Sequence, residues 1–343
     1  MRKLLNTLHI TTQGAYLHRD GETIAVKIEG ETRLRLPVHT IEGLVCWGQV
    51  LCSSPVLALC CEHGVGISYL TEQGRFLARV QGAVSGNVLL RRQQYRAADN
   101  DQAALPIVRA IVTAKIANSR VVLLRAARES SDASRQHRLR EAADRLSWTD
   151  IEVMHAATVD EARGHEGMGG QIYFSVFDDM IVGDRESFHF GGRSRRPPRD
   201  RVNALLSFIY ALLRHDVESA LEGVGLDPAV GFLHTDRAGR PSLALDLMEE
   251  FRSSLADRLA LTLINRRQVQ GDGFIEQDGG GILLQEATRK TVIAAWQMRK
   301  QEEIEHPFLQ ERVALGLVPY IQALLLARHL RGGLDAYPVF LWR

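Results

Sequence analysis

The sequence has little of what marks a secreted, membrane-spanning or disulfide-stabilised protein. Its four cysteines, Cys46, Cys52, Cys60 and Cys61, all fall in the first quarter of 343 residues. They form no CxxC pair, which disfavours a zinc site completed by His63, and their apolar surroundings predict reduced core thiols. No run of about 18 apolar residues occurs, and no signal-peptide pattern is visible at the start. We therefore expect a cytoplasmic protein without a membrane partner.

An excess of charge of one sign is also lacking, because 42 Lys and Arg oppose 41 Asp and Glu and leave a formal net charge of +1. The total selects no class of partner, so the local distribution of charge matters more. Residues 109–145 hold nine Lys or Arg against four Asp or Glu, and residues 193–201 hold five arginines against one aspartate. Such stretches suit phosphate backbones, and a solvated linker or a salt-bridged helix face has the same composition.

Several common catalytic motifs are missing as well. No GxSxG nucleophile elbow is present, and the Gly279-Gly280-Gly281 run lacks the following Lys-Ser/Thr of a phosphate loop. His215-Asp216 is the dipeptide of the HD phosphohydrolases, which also need further His and Asp ligands on neighbouring helices. We expect this pair at the surface, at the end of an amphipathic helix over 202–214, so HD chemistry is a minor alternative.

Hydrophobic periodicity divides the chain into two parts. Alternating segments predict strands at 4–10, 15–18, 23–28, 33–36, 66–70 and 76–80, and a helical pattern interrupts them at 55–63. Helical spacing then prevails at 106–127, 137–148, 159–177, 202–222, 241–264 and 285–304. The predicted fold is a two-domain α+β protein. A small antiparallel β domain occupies residues 1–88, a linker 89–105, and a larger all-α domain 106–343.

The best candidate for a functional site is His234 together with Asp246, Glu249 and Glu250. In a helix that begins at Pro241, Asp246 shares a face with either glutamate, since these lie three and four residues further on. Neighbouring carboxylates repel one another unless a bound divalent cation makes them its ligands. An acidic stretch that complements the helix dipole explains the same spacing. The pattern therefore leaves open both metal binding and the choice among the carboxylates.

Glu166 is a weaker candidate on its own. It lies in Gly164-His165-Glu166-Gly167, and Gly169 and Gly170 follow. These glycines would let another backbone or a nucleic acid approach closely, but a Gly-rich connector explains the segment equally well.

Four segments together resemble a known family. They are residues 164–167 (GHEG) leading into 172–174 (IYF), residues 201–213 (RVNALLSFIYALL), residues 230–234 (VGFLH) and residues 242–252 (SLALDLMEEFR). In this order and spacing they are similar to the CRISPR-associated endonuclease and integrase of spacer acquisition, the Cas-one family, over essentially the whole chain. Residues 337–342, YPVFLW, resemble the type I-C branch of that family.

The resemblance implies a β domain followed by a larger helical domain, which agrees with the periodicity. It also implies a metal site whose ligands are Glu166, His234 and Glu249, with Asp246 as a supporting carboxylate. Glu250 departs from the family, which often has proline there, and a register shift of one would exchange the two glutamates. Two carboxylates and an imidazole suit Mn²⁺ and tolerate Mg²⁺ as the cofactor.

The activity implied is phosphoryl transfer on DNA. A 3′-hydroxyl attacks a phosphodiester and inserts a short fragment, the spacer, into a CRISPR repeat array; with water as the nucleophile the same site would hydrolyse DNA. The implied partners are double-stranded DNA with 3′ ends, a second copy of the chain, a small ferredoxin-like adaptation protein, and an adaptation nuclease. A DNA-binding scaffold without catalysis is the alternative.

Overall fold

The computed structural model describes residues 7–41, 43–72, 76–80, 82 and 87–342. The chain divides into two compact units. The first comprises Met1–Gly86, Gln297–Glu302 and Leu315–Leu317, and the second comprises Asn87–Trp296, Glu303–Ala314 and Val318–Arg343. The predicted order, a strand-rich part followed by a larger helical part, is confirmed. In the described part of the chain, no helix combines the length and the apolar character needed to cross a membrane.

Among the residues that the structure describes, the first unit contains eight strands and one complete α-helix. They are β1 Thr7–Ile10, β2 Tyr16–Asp20, β3 Thr23–Ile28, β4 Glu31–Pro37, β5 Gly43–Trp47, β6 Leu51–Cys52, α1 Ser54–Glu62, β7 Gly66–Leu70 and β8 Phe76–Val80. The strands form two four-stranded sheets with orders β1-β5-β7-β8 and β4-β3-β2-β6. One cluster of buried side chains, which includes Leu17, Leu44, Leu59 and Ile67, takes members from both sheets and from α1.

Strand pairing in this unit differs in part from the antiparallel arrangement that the alternation predicts. The pairs β2–β3, β3–β4 and β7–β8 are antiparallel, but β1–β5, β5–β7 and β2–β6 are parallel, so the prediction is wrong for these three pairs. Parallel neighbours need a crossover, and α1 lies in the connection from β5 to β7. Every residue of β5 is buried, so this strand shows no alternation and periodicity misses it.

Helices dominate the second unit. They are α2 Val88–Ala98, α3 Asp101–Glu129, α4 Ala133–His155, α5 Val159–Ser175, α6 Arg201–Val224, α7 Ser242–Met248, α8 Arg258–Asn265, α9 Glu286–Gln301 and α10 Val318–Leu330, and the residues of α9 from Gln297 onward belong to the first unit. Two short antiparallel hairpins interrupt them, β9 Phe274–Glu276 with β10 Ile282–Leu284, and β11 Glu303–Glu305 with β12 Arg312–Ala314. The description of this part as all-α therefore omits the two hairpins.

Four of the long helices begin at a polar side chain that accepts hydrogen bonds from the backbone of the first turn. Asn100 caps α3, Asp132 caps α4, Thr158 caps α5 and Asp200 caps α6. Each cap satisfies amide groups that have no partner inside the helix. These caps fix where the helices start, and three of them (α3, α5 and α6) carry side chains of the candidate site or its surroundings.

The segment 89–105, predicted as a linker, is helical. It contains most of α2 and the first turn of α3. Its composition is polar, but Leu90, Gln94 and Ala97 form a buried face at helical spacing. Gln94 also holds the loop that follows α6, because its side chain donates to Asp227 O and Val230 O at 2.8 Å each. The polar residues therefore support tertiary contacts rather than a flexible connection.

His215 lies inside α6 rather than at its end, and the predicted surface position is wrong. The helix continues to Val224 because apolar residues at 217, 220, 221 and 224 extend its buried face. His215 is buried, and Asp216 Oδ2 accepts a hydrogen bond from Trp296 Nε1 at 3.0 Å. The pair is thus part of the packing of this unit.

The helix predicted over 241–264 is broken into three pieces. After α7, residues 249–251 form a turn, Arg252–Asp257 is π-helical, and α8 follows. Wide turns of this kind are rare and occur frequently at functional sites. At this break the neighbouring side chains of Glu249 and Glu250 point in different directions.

Candidate active site

Glu166 and Glu249 meet at the ammonium group of Lys115. Glu166 is on α5, Glu249 directly follows α7, and Lys115 is on α3. Lys115 Nζ contacts Glu166 Oε1 and lies 2.8 Å from Glu249 Oε2. Glu249 is almost completely buried, whereas Glu166 keeps 23% of its side chain exposed. The fold therefore brings together two of the predicted ligands, although 83 positions separate Glu166 from Glu249.

A second cation lies on the other side of Glu249. Arg252 Nε is 3.0 Å from Glu249 Oε1, and its guanidinium stacks on the ring of Tyr210 at 5.0 Å. Burial would raise the pKa of Glu249, but the charges of Arg252, Lys115 and His234 outweigh it and lower the pKa to about 2. Glu249 is therefore an anion at any ordinary pH.

Asp246 holds the ring and the backbone of His234 in place through hydrogen bonds. The carboxylate is fully buried, and its Oδ1 lies 2.7 Å from His234 Nδ1 and accepts from the His234 amide at 2.9 Å. Its Oδ2 accepts from the amides of Phe232 and Leu233 at 2.6 and 3.0 Å. All acceptor positions of Asp246 thus serve the 232–234 turn, which makes it a support for His234. This is the role that the resemblance implies for Asp246.

The turn that carries His234 is also tied to α5. Arg163, one helical turn before Glu166, donates from Nε to Leu233 O at 2.9 Å. Gly231 lies so close to Asp246 and Ser242 that an added Cβ would stand 2.8 Å from Asp246 Oδ2. Only glycine therefore allows the turn to approach the carboxylate that orients His234.

Glu250 faces away from Lys115 and towards residues 337–342, which we call the C-terminal strap. Its Oε1 accepts from Tyr337 Oη at 2.6 Å, and its Oε2 accepts from the Phe340 amide at 2.7 Å and from Gln322 Nε2 at 3.0 Å. Burial raises the pKa of Glu250 to about 7, against the lowering effect of these donors. Of the two glutamates that spacing left open, Glu249, not Glu250, therefore shares the Lys115 ammonium with Glu166.

Asn118 anchors the same strap from α3, one turn after Lys115. Its Nδ2 donates to Glu250 O at 2.7 Å and to Phe340 O at 2.9 Å, and its Oδ1 accepts from the Trp342 amide at 2.7 Å. The strap thus connects the helix of Lys115 with the turn of Glu249. This connection is internal to the second unit.

The donor chemistry of Glu166, His234 and Glu249 fits a divalent cation. Two carboxylates enclose a positive group, and because Asp246 engages Nδ1 of His234, Nε2 is the ring nitrogen available to a ligand. In the part of the chain that the structure describes, no three His, Cys, Asp or Glu side chains are arranged to hold an ion together. The positive charge between the carboxylates is that of Lys115.

The basic segment 193–201 contains two kinds of arginine. Arg193 stacks on Tyr210 and donates to Asn203 Oδ1 at 2.5 Å, and Arg201 donates to Ser187 O and Gly271 O. These two hold the segment in place. The remaining three, Arg195, Arg196 and Arg199, are exposed at the surface.

The basic stretch 109–145 divides in the same way. Arg109 donates from Nε to Ala156 O at 2.9 Å at the end of α4, and Arg138 pairs with Asp179 at 2.6 Å. Lys115 belongs to the site itself. Arg128, Arg140 and Arg145 are exposed, so the surface available to a phosphate backbone is smaller than the composition suggests.

Sequence reasoning missed Lys115 and Arg252 as parts of the site. Lys115 has one recognisable signal, since it is a lone charge among Ile111, Val112, Ala114 and Ile116, all buried on α3. Arg252 lies three residues after Glu249, which is the spacing of a helical ion pair. A charge on the apolar face of a helix needs a buried partner, and that requirement could have indicated both residues.

Comparison with known proteins gives one consistent result. The profile of the family described as CRISPR associated protein Cas1 matches residues 8–298. The CRISPR-associated endonuclease Cas1 1 of Chlorobaculum tepidum is 50% identical over 343 residues, which cover all of both chains. The CRISPR-associated endonuclease Cas1 2 of Rhodospirillum rubrum is also 50% identical, over 347 residues and the full length of both chains.

Solved structures show the same architecture. A Cas1 protein from Thermotoga maritima has a TM-score of 0.82 and 25% identity, covering 98% of this chain and 100% of its own. A Cas6-RT-Cas1–Cas2 complex gives 0.83 at 23% identity, covering 99% of this chain and 36% of its own. A casposase bound to its integration product gives 0.82 at 22% identity, covering 97% of this chain and 93% of its own. The last two show the likeness of the fold alone.

The two-unit fold and the relatives together define a CRISPR-associated nuclease. The chain belongs to the Cas1 family, as residues 8–298 and the full-length relatives show. Its assignment to the type I-C branch stays a prediction.

Proposed function

We propose that the protein is a metal-dependent DNA endonuclease and integrase that inserts spacers into a CRISPR repeat array. One observation carries the proposal: Glu166 and Glu249 converge on a single cationic group, next to a histidine that a buried aspartate orients. Anionic side chains at such a position suit an ion that neutralises the charge of a phosphodiester. The casposase likeness agrees with this chemistry at the level of the fold.

Glu166, His234 and Glu249 would hold Mn²⁺ or Mg²⁺. A bound divalent cation supplies Lewis acidity at the scissile phosphate. The low pKa of Glu249 keeps this side chain ready for a cation without loss of a proton, and Asp246 prevents rotation of the His234 ring. The protein's own contribution is thus to position charged ligands before DNA arrives.

The reaction proposed is attack of a 3′-hydroxyl on a phosphodiester of the repeat, with water as the alternative nucleophile in cleavage. DNA would be held through its phosphates, and Arg195, Arg196 and Arg199 are the candidates on the segment before α6, with Arg128, Arg140 and Arg145 on α3 and α4. These side chains are exposed and carry the planar donor groups that phosphates accept.

The proposed partners are double-stranded DNA with 3′ ends, a second copy of the chain and a small ferredoxin-like adaptation protein. The Cas6-RT-Cas1–Cas2 complex supports the last of these, because a protein of the same fold assembles there with Cas2. An adaptation nuclease is a further proposed partner.

A strand-transfer assay with a labelled fragment and a repeat-bearing plasmid tests the proposal. Glu166→Ala and His234→Ala should each abolish joining in Mn²⁺, and EDTA should abolish joining by the unaltered protein. Glu311→Ala and His39→Ala are matched controls, since both side chains are exposed and neither belongs to the proposed ligand set. Normal joining by both site variants would instead support the DNA-binding scaffold without catalysis.

Replacement of Arg195, Arg196 and Arg199 by alanine tests the DNA surface. Each lost phosphate contact should reduce the slope of log affinity against log salt by about 0.9, and affinity should fall for all sequences alike. Fluorescence anisotropy with a labelled duplex at several salt concentrations measures both quantities. An unchanged slope would place the DNA on other residues.

A further inference from the structure

Lys115 is the group that occupies the space between the two carboxylates. Its side chain is only 16% exposed, and its ammonium contacts Glu166 Oε1 and lies 2.8 Å from Glu249 Oε2. The three residues come from α5, the turn after α7, and α3. A cation that bound both carboxylates would need the position that the ammonium now fills.

The charges of the group are balanced in this arrangement. Glu166 and Glu249 contribute two negative charges, and Lys115 and Arg252 contribute two positive charges. The buried Asp246 faces His234 and three backbone amides, so its charge is already engaged elsewhere. A divalent cation would add two positive charges to a neutral, poorly hydrated group, which is unfavourable unless negative charge enters with it.

We propose that Lys115 makes divalent-cation binding dependent on DNA. In the free protein its ammonium holds Glu166 and Glu249 together as an internal counterion, and it has to release them when a cation binds. Phosphodiesters of DNA then supply the negative charge that restores the balance. The proposal rests on the ligand set of the proposed function and assigns Lys115 as a positioning residue.

Two consequences follow from the charge balance. DNA should tighten cation binding, and the cation should tighten DNA binding by the same factor, because coupling between two ligands is reciprocal. Removal of the Lys115 charge should leave the carboxylates without their counterion. Cation binding without DNA should then become tighter, and the effect of DNA should shrink.

The test is a Mn²⁺ titration followed by the electron paramagnetic resonance signal of the free ion, with and without a DNA duplex that has free 3′ ends. Binding to the duplex alone is measured separately and subtracted. For the unaltered protein, the duplex should lower the Kd for Mn²⁺ about tenfold or more, within the usual range of coupling. For Lys115→Met, the Kd without DNA should fall by a similar factor, and the duplex should then change it less than about threefold.

Three further variants complete the test. Lys115→Arg keeps the charge and should keep the dependence on DNA. Lys290→Met removes an exposed lysine that pairs with Glu286 one turn away, and it should change neither constant. Glu249→Gln should bind Mn²⁺ much more weakly than the unaltered protein under both conditions.

Thermal denaturation shows whether a change in Mn²⁺ binding by Lys115→Met comes from a folded protein. Lys115→Met should melt lower than the unaltered protein without metal, because two carboxylates lose their counterion, and Mn²⁺ should raise its Tm more. A variant that has no cooperative transition at any Mn²⁺ concentration would overturn the proposal, since a lost counterion alone is replaced by the ion.

The outcomes separate this inference from the proposed function. If Glu249→Gln loses Mn²⁺ binding while Lys115→Met keeps the Kd and the DNA effect of the unaltered protein, Lys115 is only a structural ion-pair partner and the inference is wrong. If Glu249→Gln binds Mn²⁺ as the unaltered protein does, the ligand set itself fails.

Discussion

Glu249 and Glu250 are neighbours of the same residue type, both almost fully buried, yet they face opposite environments. Glu249 lies between the cations Lys115 and Arg252, and its pKa is lowered to about 2 although burial opposes this. Glu250 accepts hydrogen bonds from neutral donors of the C-terminal strap and α10, and burial raises its pKa to about 7.

The difference shows that burial alone does not decide the charge of a carboxylate. Full positive charges outweigh the loss of hydration at Glu249, whereas hydroxyl, amide and backbone donors do not outweigh it at Glu250. Because Glu249 and Glu250 are consecutive residues in the turn after α7, their side chains reach these different partners. One glutamate is therefore a ready anion, and the other, whose pKa is raised to about 7, holds the strap.

The largest expected difference between the two glutamates is in the strand-transfer activity of their glutamine variants. Glu249→Gln removes the anion between Lys115 and Arg252 and should reduce strand transfer at least about 100-fold, a typical effect of losing one group that stabilises charge in the transition state. Glu250→Gln mimics the protonated carboxyl and should stay within a few fold. Initial rates of joining in saturating Mn²⁺ measure both.

The comparison would break if Glu250→Gln were the inactive variant and Glu249→Gln the active one. That result would shift the register by one residue and make Glu250 the ligand. Cooperative thermal unfolding of both variants ensures that the rates belong to folded protein.

Stability should respond to pH in opposite directions at the two residues. The folded state keeps the Glu250 proton up to about pH 7, whereas the unfolded chain releases it above pH 4.5, so this group makes stability fall as pH rises from 4.5 to 7. Glu249 has the opposite shift, so its contribution is present above pH 4.5 and is lost as pH falls towards 2. The change due to Glu250 is on the order of 3 kcal/mol.

Urea unfolding of the unaltered protein and of Glu250→Gln at several pH values between 4.5 and 7 isolates the contribution of Glu250 to the free energy of unfolding. The difference in free energy of unfolding between the two proteins should change with pH, in favour of the variant as pH rises. A difference that stays constant across this range would mean that Glu250 titrates normally.

Tyr337→Phe should have the smallest effect of these substitutions, and it alters the contacts of Glu250 while leaving those of Glu249 in place. It removes the hydroxyl that lies 2.6 Å from Glu250 Oε1 and keeps the ring. We expect a loss of about 1–2 kcal/mol in the free energy of unfolding, as for one buried hydrogen bond to an acidic group. Strand transfer should remain measurable because the Lys115 side is untouched, and an inactive but stable variant would show that the two sides are not separable.

The sequence predicts the residues of the candidate site, but it does not predict their electrostatics. Helical spacing placed Asp246 with either glutamate, and the resemblance selected Glu249, but neither could show that Glu250 binds the strap. The partners of Glu250 lie up to 90 positions away, and no local pattern specifies such contacts. The two carboxylate partners of Lys115 are unpredictable for the same reason, since they come from α5 and the turn after α7, although the lone charge on the apolar face of α3 signals that Lys115 has a buried partner.

The fold was predictable where one face of an element is buried and the other exposed. α1 and α3 to α6 follow their predicted spacing, with ends extended by caps such as Asn100 and Asp132. β5 was missed because all its residues are buried, and α2 because its polar residues hide a narrow buried face. The π-helical segment Arg252–Asp257 interrupts a helical spacing that looks continuous in the sequence.

The C-terminal strap has a consequence for the biosynthesis of the protein. Asn118 and Phe340 are joined by a hydrogen bond although 222 positions separate them. A ribosome that adds about 5–20 residues per second takes roughly ten seconds or more to cover this distance. Until Trp342 has been added, Asn118 and Glu250 lack hydrogen-bond partners that the strap supplies. Translation itself therefore delays completion of these contacts until residues 337–342 have been added.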